Sequence, residues 1–325
     1  MTGLDDAALL AVVAVGSAFG ASALGQARWP RRSPAVAILL WQSLGFASGL
    51  AAVGTLLGLA MPDSDTGVIR SVWHLTVLFR TGGPFRVIGA FGAVGTVPVA
   101  AGTVPVVVIV VRLACLTGGL TLFGLLCWVL VAASTAALQA RRRQRALLTL
   151  LAHGDPKVPG ALVVDYPTAA AYCLPGLRSQ IVVSVRTLEL LGHGELAAVL
   201  AHERAHLRER HDLVLLPFTA LRRAFPRSAT CADAHRAVAL LVEMLADDHA
   251  LRSRPARELV SALVRFGTAG PGPAPAGTLA VGEGDVTARV TRLLHPARPL
   301  PAFAVTAIFL AAAVLVTAPV ALLVV

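Results

Sequence analysis

Four apolar runs, with one polar block set between the third and the fourth, constrain this chain more than any other feature. Residues 7–25, 35–60, about 113–138 and 301–325 are each apolar over a length that suits a bilayer crossing, since a hydrocarbon core of about 30 Å takes about 20 residues of helix. A single soluble domain does not carry 56% hydrophobic and 14% charged residues at a mean hydropathy of +0.74, so the expected fold class is an α-helical membrane protein with about four transmembrane helices. Asp5 and Asp6 precede the first run where a cleaved signal peptide would carry positive charge, which favours a retained span.

The formal charge of +10 fits topology better than nucleic-acid binding, because aromatic residues make up only 5% and no nucleic-acid motif is present. Arg28, Arg31 and Arg32 follow the first span, and Arg141, Arg142, Arg143 and Arg145 follow the third. The positive-inside rule puts both groups in the cytoplasm, which three spans before residue 141 satisfy. The Gly/Pro-rich stretch 87–111 is then expected to be an outer-side or re-entrant element, with Arg112 at the outer end of the third span; five spans in all are the alternative. Arg298 precedes the fourth span, so both termini are expected outside and the block 141–299 inside, in a multi-pass protein of a bacterial cell membrane.

That block holds 21 of the 28 basic and 14 of the 18 acidic residues. It is expected to be an α+β domain inserted between spans. Arg141 to Leu151 continues the third helix, His153-Gly-Asp-Pro156 reads as a turn, and residues 161–165 and 180–184 read as strands. Residues 252–266 are expected to be helical. Residues 267–286, with Gly270-Pro-Gly-Pro-Ala-Pro275, read as a flexible linker, and 286–294 as a short amphipathic helix at the membrane surface. Cys115, Cys127, Cys173 and Cys231 lack C-x-x-C spacing, so neither a disulfide framework nor a cysteine zinc site is expected.

Within the block stands His202-Glu-Arg-Ala-His206, an H-E-x-x-H motif on a segment of helical spacing. Residues four apart share a helix face, so His202 and His206 can present two imidazoles to one zinc ion while Glu203 serves as base for a water. A later helical segment carries Glu243 and Asp247, again four apart. Glu243 is the expected third ligand, and Asp247 the expected hydrogen-bond partner of a ligating imidazole. Ala169, Ala170, Ala171, Tyr172, Cys173 and Leu174 are the candidate edge strand for an extended substrate, with a core strand or loop as the equal alternative. His211, His235 and His249 are candidates by residue type only for stabilising an oxyanion, and a solvated surface histidine is the favoured reading of each. Arg204, Arg208 and Arg210 read as a charged outer face, and Asp248 as a solvated neighbour.

His202-Glu-Arg-Ala-His206, Glu243-Met-Leu-Ala-Asp247, Ala171-Tyr-Cys-Leu-Pro-Gly176 and Ile181-Val-Val-Ser184 together resemble peptidase family M56. Those membrane metallopeptidases include the antibiotic sensors of the BlaR1/MecR1 type and are related to family M48, of the HtpX type. The resemblance covers the layout from residue 141 to about 266 and the membrane spans around it. It implies a gluzincin-like zinc endopeptidase with ligands His202, His206 and Glu243, base Glu203 and supporting acid Asp247. It implies cleavage of a cytoplasmic regulator, typically a transcriptional repressor, or of a membrane protein. The chain stops at Val325 directly after the last span, so no extracellular sensor domain is expected. The alternatives are an M48-type quality-control protease of membrane proteins, a non-catalytic signalling or scaffold protein in which zinc staples two helices, and, more weakly, a transporter. The intact base and the three-ligand set argue against the staple, which would use four protein ligands.

Overall fold

The computed structural model describes residues 3–61, 73–74, 76–77, 80–81, 104–155, 158–176, 179–269 and 283–324. Four of its helices are long and apolar enough to cross a membrane by length and composition: Leu4–Gln26, Pro34–Ala60, Val107–Leu151 and Ala302–Val324. The chain divides into two compact units. One comprises 1–26, 39–128 and 302–325, and the other 27–38 and 129–301.

The first unit is built from α1 (Gly3–Gln26), most of α2 (Pro34–Ala60), the first half of α3 (Val104–Leu151) and α10 (Ala302–Val324). Pro34 opens α2, a position where the missing N–H costs nothing. Close approach rests on small residues. A side chain at Gly58 would meet Ala7 at 3.1 Å, and one at Gly54 would meet Leu323 at 2.8 Å and Leu10 at 3.0 Å. Gly119 likewise admits Leu57 of α2 against α3. Such glycines let apolar helices touch closely.

Helix α3 begins at Val104 and not near residue 113. Arg112 therefore lies eight residues inside the helix, and 104–111 are helical; the rest of the 87–111 stretch falls outside the described residues. Val104 to Val111 carry no residue that stops a helix after Pro105 at its second position, and β-branched runs are tolerated in apolar helices.

The second unit takes in the loop between α1 and α2, where Trp29–Arg32 form a 3-10 turn, and the C-terminal half of α3. Four strands follow: β1 (Ala152–Gly154), β2 (Ala161–Val164), β3 (Ala171–Leu174) and β4 (Gln180–Ser184). Their order is β1-β2-β4-β3, with β2 and β4 parallel and the outer pairs antiparallel. The expected turn at 153 is instead a strand. Ala152 pairs with Val164 and Gly154 with Leu162, so tertiary pairing overrides the turn chemistry of His153-Gly154.

The helices are α4 (Val185–Leu190), α5 (His193–Arg208), α6 (His211–Ala224), α7 (Ala229–Ala250), α8 (Ala256–Thr268) and α9 (Glu283–Leu294). Pro255 caps α8 and delays its start past the expected residue 252. One sheet face buries Val163, Ile181 and Val183 against Leu196, Val199, Leu200 and Ala262 of α5 and α8. The other packs Val182 and Leu174 on Leu148 of α3. Helix α3 is tied further by Arg141 to Asp212 at 3.0 Å and by Arg145 to the Pro175 carbonyl at 3.0 Å. Helix α9 does not lie as a surface helix. Val286, Val290 and Leu293 join the core of Ala198, Leu259 and Leu263, because its apolar face finds protein to bury against. Of the expected linker, 270–282 fall outside the described residues, while 267–268 finish α8 and 283–286 open α9.

Candidate metal centre

Glu195, at the third position of α5, accepts the Gly192 N–H at 2.8 Å and pairs with Arg265 of α8 at 3.0 Å. This satisfies a free N–H at the helix start and fixes α5 on its neighbour. Its pKa lies below the ordinary value: burial opposes the charge, but bonds from Ser261, Gly192 and Arg265 outweigh it. At the other end, Arg210 adopts a left-handed conformation, φ 52°, the only described non-glycine residue with positive φ. That costs about 1 kcal/mol, and it lets α6 start at once with His211.

The structure brings His202, His206 and Glu243 to one point. The two Nε2 atoms are 3.1 Å apart. Glu243 Oε2 lies 3.3 Å from Nε2 of His202, and Oε1 lies 3.4 Å from Nε2 of His206. A tetrahedral zinc site with bonds of about 2.05 Å has ligand–ligand edges of about 3.3 Å, so the three donors fit that ion in spacing and in type.

Each imidazole has a polar neighbour at its far nitrogen. Nδ1 of His202 is 3.0 Å from Asp247 Oδ1. Nδ1 of His206 is 2.9 Å from Nδ1 of His211, which requires one ring to donate and the other to accept. Burial, with His206 beside it, lowers the His211 pKa to about 3, so His211 stays neutral. In the tautomer that leaves Nε2 of His206 free for a metal, His206 donates from Nδ1 and His211 accepts. His211 thus sits behind His206 and does not face the side where an oxyanion would form. His235 and His249 are not among the residues around the metal point.

Metal-free electrostatics split the two rings. Burial works against charge on His202, but bonds to Asp247 and Glu243 win and raise its pKa to about 9. Burial lowers His206 to about 4. Burial also lifts Glu203 to about 7, with Glu243 adding to the rise. The Cys173 thiol of β3 bonds the Glu203 carboxylate, and burial with that carboxylate nearby pushes the thiol up.

Sequence reasoning missed Arg289. This α9 side chain is 4% exposed. It bonds Asp247 through Nε at 2.8 Å and Nη2 at 2.6 Å, and Glu243 through Nη1 at 2.9 Å. Both carboxylates are held below the ordinary range; burial opposes their charge, and Arg289 leads the groups that overcome it. The signal was available: position 289 falls on the same helix face as Val286, Val290 and Leu293, and an arginine on an apolar face calls for a partner. Asp248 is half-exposed and paired, which makes it more than a solvated neighbour. Arg292, one turn after Arg289, grips it at 2.7 and 2.8 Å and also donates to the Arg31 carbonyl at 2.7 Å.

Of the expected edge residues, Ala171, Tyr172, Cys173 and Leu174 form β3, and β3 is an outer strand of the sheet. Ala169 and Ala170 precede the strand. Ala170 is still tied in: its carbonyl accepts the Ser184 N–H at 2.8 Å and the Thr187 hydroxyl at 3.0 Å. Ala171 and Cys173 turn toward the core shared with α5, Tyr172 and Leu174 toward the opposite face. Arg204, Arg208 and Arg210 are exposed, and Arg210 pairs with Asp212 at 3.3 Å.

No curated protein matches the chain, and no solved structure does. Residues 136–252 match the model of peptidase family M48. That stretch holds the motif helix, the edge strand and the helix of Glu243 and Asp247, and the match supports a metallopeptidase related to family M48.

Proposed function

We propose that this chain is a membrane-anchored zinc endopeptidase whose site faces the cytoplasm. The observation that carries the reading is the triangle of His202, His206 and Glu243 donors at 3.1–3.4 Å, with the acid Glu203 one residue from a ligand. His202, His206 and Glu243 would hold the zinc, which when bound supplies a Lewis acid for the scissile carbonyl and activates a water.

The chain's own groups do the rest. Glu203, half-buried beside the metal point, takes a proton from the attacking water and returns it to the leaving amine. Asp247 and His211 keep the two imidazoles turned so that Nε2 faces the metal point. β3 offers the substrate an edge. Because Ser184 N–H bonds the Ala170 carbonyl, the alternation of an antiparallel ladder leaves the main-chain groups of Ala171 and Cys173 on its free side. An extended peptide adding there would run past Glu203.

The substrate is a protein, either a cytoplasmic regulator such as a repressor or a membrane protein. The match to family M48 supports the second class, quality control of membrane proteins. The basic flanks of the apolar helices support the cytoplasmic orientation. The test is zinc content and casein cleavage by wild type and Glu203→Gln. One zinc per chain in both, with cleavage lost roughly 100-fold or more in the variant, supports the reading. Absence of zinc from the wild type overturns it.

A further inference from the structure

On the side of α5 away from the metal point lies a cavity of about 500 Å³ lined by Ala201, Arg204, Leu207, Arg208, His249 and Ser253. Its volume falls within the roughly 300–1,000 Å³ typical of small-molecule sites. Three features of its wall point to one ligand chemistry. Arg204 and Arg208 stand four apart on one helix face, where like charges repel, and Arg204 has no ion-pair or hydrogen-bond partner among the described residues. His249 is 8% exposed, and its Nδ1 is buried without a hydrogen-bond partner. The one nearby carboxylate, Glu209, is 3.8 Å from both Arg208 Nε and His249 Nδ1, beyond hydrogen-bonding distance. Asp248, next to His249, is taken up by Arg292.

We infer that this cavity is a binding site for a phosphate-bearing small molecule, with Arg204 and Arg208 on the phosphate, the His249 Nδ1–H as a directed donor, and Ala201 and Leu207 against the organic part. Guanidinium pairs suit phosphate because their donors match its oxygens in pairs. A buried polar atom without a partner costs free energy that a ligand acceptor removes. The cavity is larger than bare phosphate needs, which leaves room for the rest of the ligand. Arg204 lies between the two histidine ligands on α5, so an occupant would bear on the helix that carries them. The inference does not depend on peptidase activity, because its readout is binding.

The full-length protein in a non-ionic detergent is titrated by calorimetry with inorganic phosphate and, separately, with dihexanoyl phosphatidic acid. The same is done for Arg204→Gln/Arg208→Gln, for His249→Ala, and for Arg142→Gln/Arg143→Gln as an exposed control pair. Saturable binding weakened roughly tenfold or more in the first two variants, and unchanged in the control, is the expected result. Binding of both probes assigns a soluble phosphorylated ligand, and binding of the lipid analogue alone assigns a headgroup. Unchanged far-ultraviolet circular dichroism and melting temperature show that the variants are folded. No binding of either probe up to about 10 mM, or equal weakening in the control pair, overturns the site.

Discussion

Arg289 bonds both oxygens of Asp247, at 2.8 and 2.6 Å, from a helix that follows Asp247 by more than thirty residues. The pair is almost fully buried, with side chains 4% and 1% exposed. Removing one partner of a buried ion pair strands the other charge, a loss of about 3–5 kcal/mol. Arg289→Met therefore lowers the melting temperature of metal-free protein sharply, since it strands both Asp247 and Glu243. Added zinc recovers part of the loss, because the cation neutralises Glu243 and binds only the folded state. Differential scanning fluorimetry with and without zinc checks both effects; an unchanged melting temperature without metal would refute the role given to Arg289.

His211 supports His206 from behind at 2.9 Å. A partner at the far nitrogen of a ligating histidine is worth about 10–100-fold in metal affinity. His211→Leu keeps a buried side chain but removes the acceptor, so zinc binding weakens by that factor, measured by competition with a chromophoric chelator. Because His211 is neutral down to about pH 3, the difference between the variant and wild type holds across pH 6–8.

The grouping of His202, His206 and Glu243 was legible because an α-helix turns i, i+4 spacing into a shared face, and both His202/His206 and Glu243/Asp247 obey it. Their meeting needed only that α5 and α7 pack. Arg289 was not legible by the same rule, since it comes from α9, across the 270–282 stretch, and no local spacing ties it to Asp247. β1 was hidden because His153-Gly154 has turn chemistry, and only the pairing with β2 makes it extended. The start of α3 was misplaced because glycine and proline upstream draw attention from Val106 to Val111, which read equally well as strand or helix.

Glu203 gives a pH signature of its own. In metal-free protein its carboxyl is lifted from the ordinary 4.5 to about 7, chiefly by burial. A raised carboxyl pKa means that the folded state holds the proton more tightly than the unfolded chain. The associated stability is complete below pH 4.5 and is lost as pH rises through 7. Glu203→Gln stays neutral throughout. Metal-free variant and wild type should match near pH 4.5, and the variant should be the more stable at pH 8, by up to about 3 kcal/mol. Melting curves in a chelator across that range decide it; a gap that closes toward pH 8 would show that burial does not govern Glu203.

Gly58 admits Ala7 at 3.1 Å, whereas Gly16 of α1 has nothing within 4 Å. Both are helical glycines, so isoleucine brings a similar gain in helix propensity at each. The packing consequences differ. At Gly58 the added side chain must push α1 from α2, an overpacking cost of about 1–3 kcal/mol. At Gly16 it meets open space. Gly58→Ile should lower the melting temperature in detergent while Gly16→Ile leaves it level or slightly higher. Equal effects at the two positions would mean that the close approach of Ala7 to Gly58 does not hold these helices together.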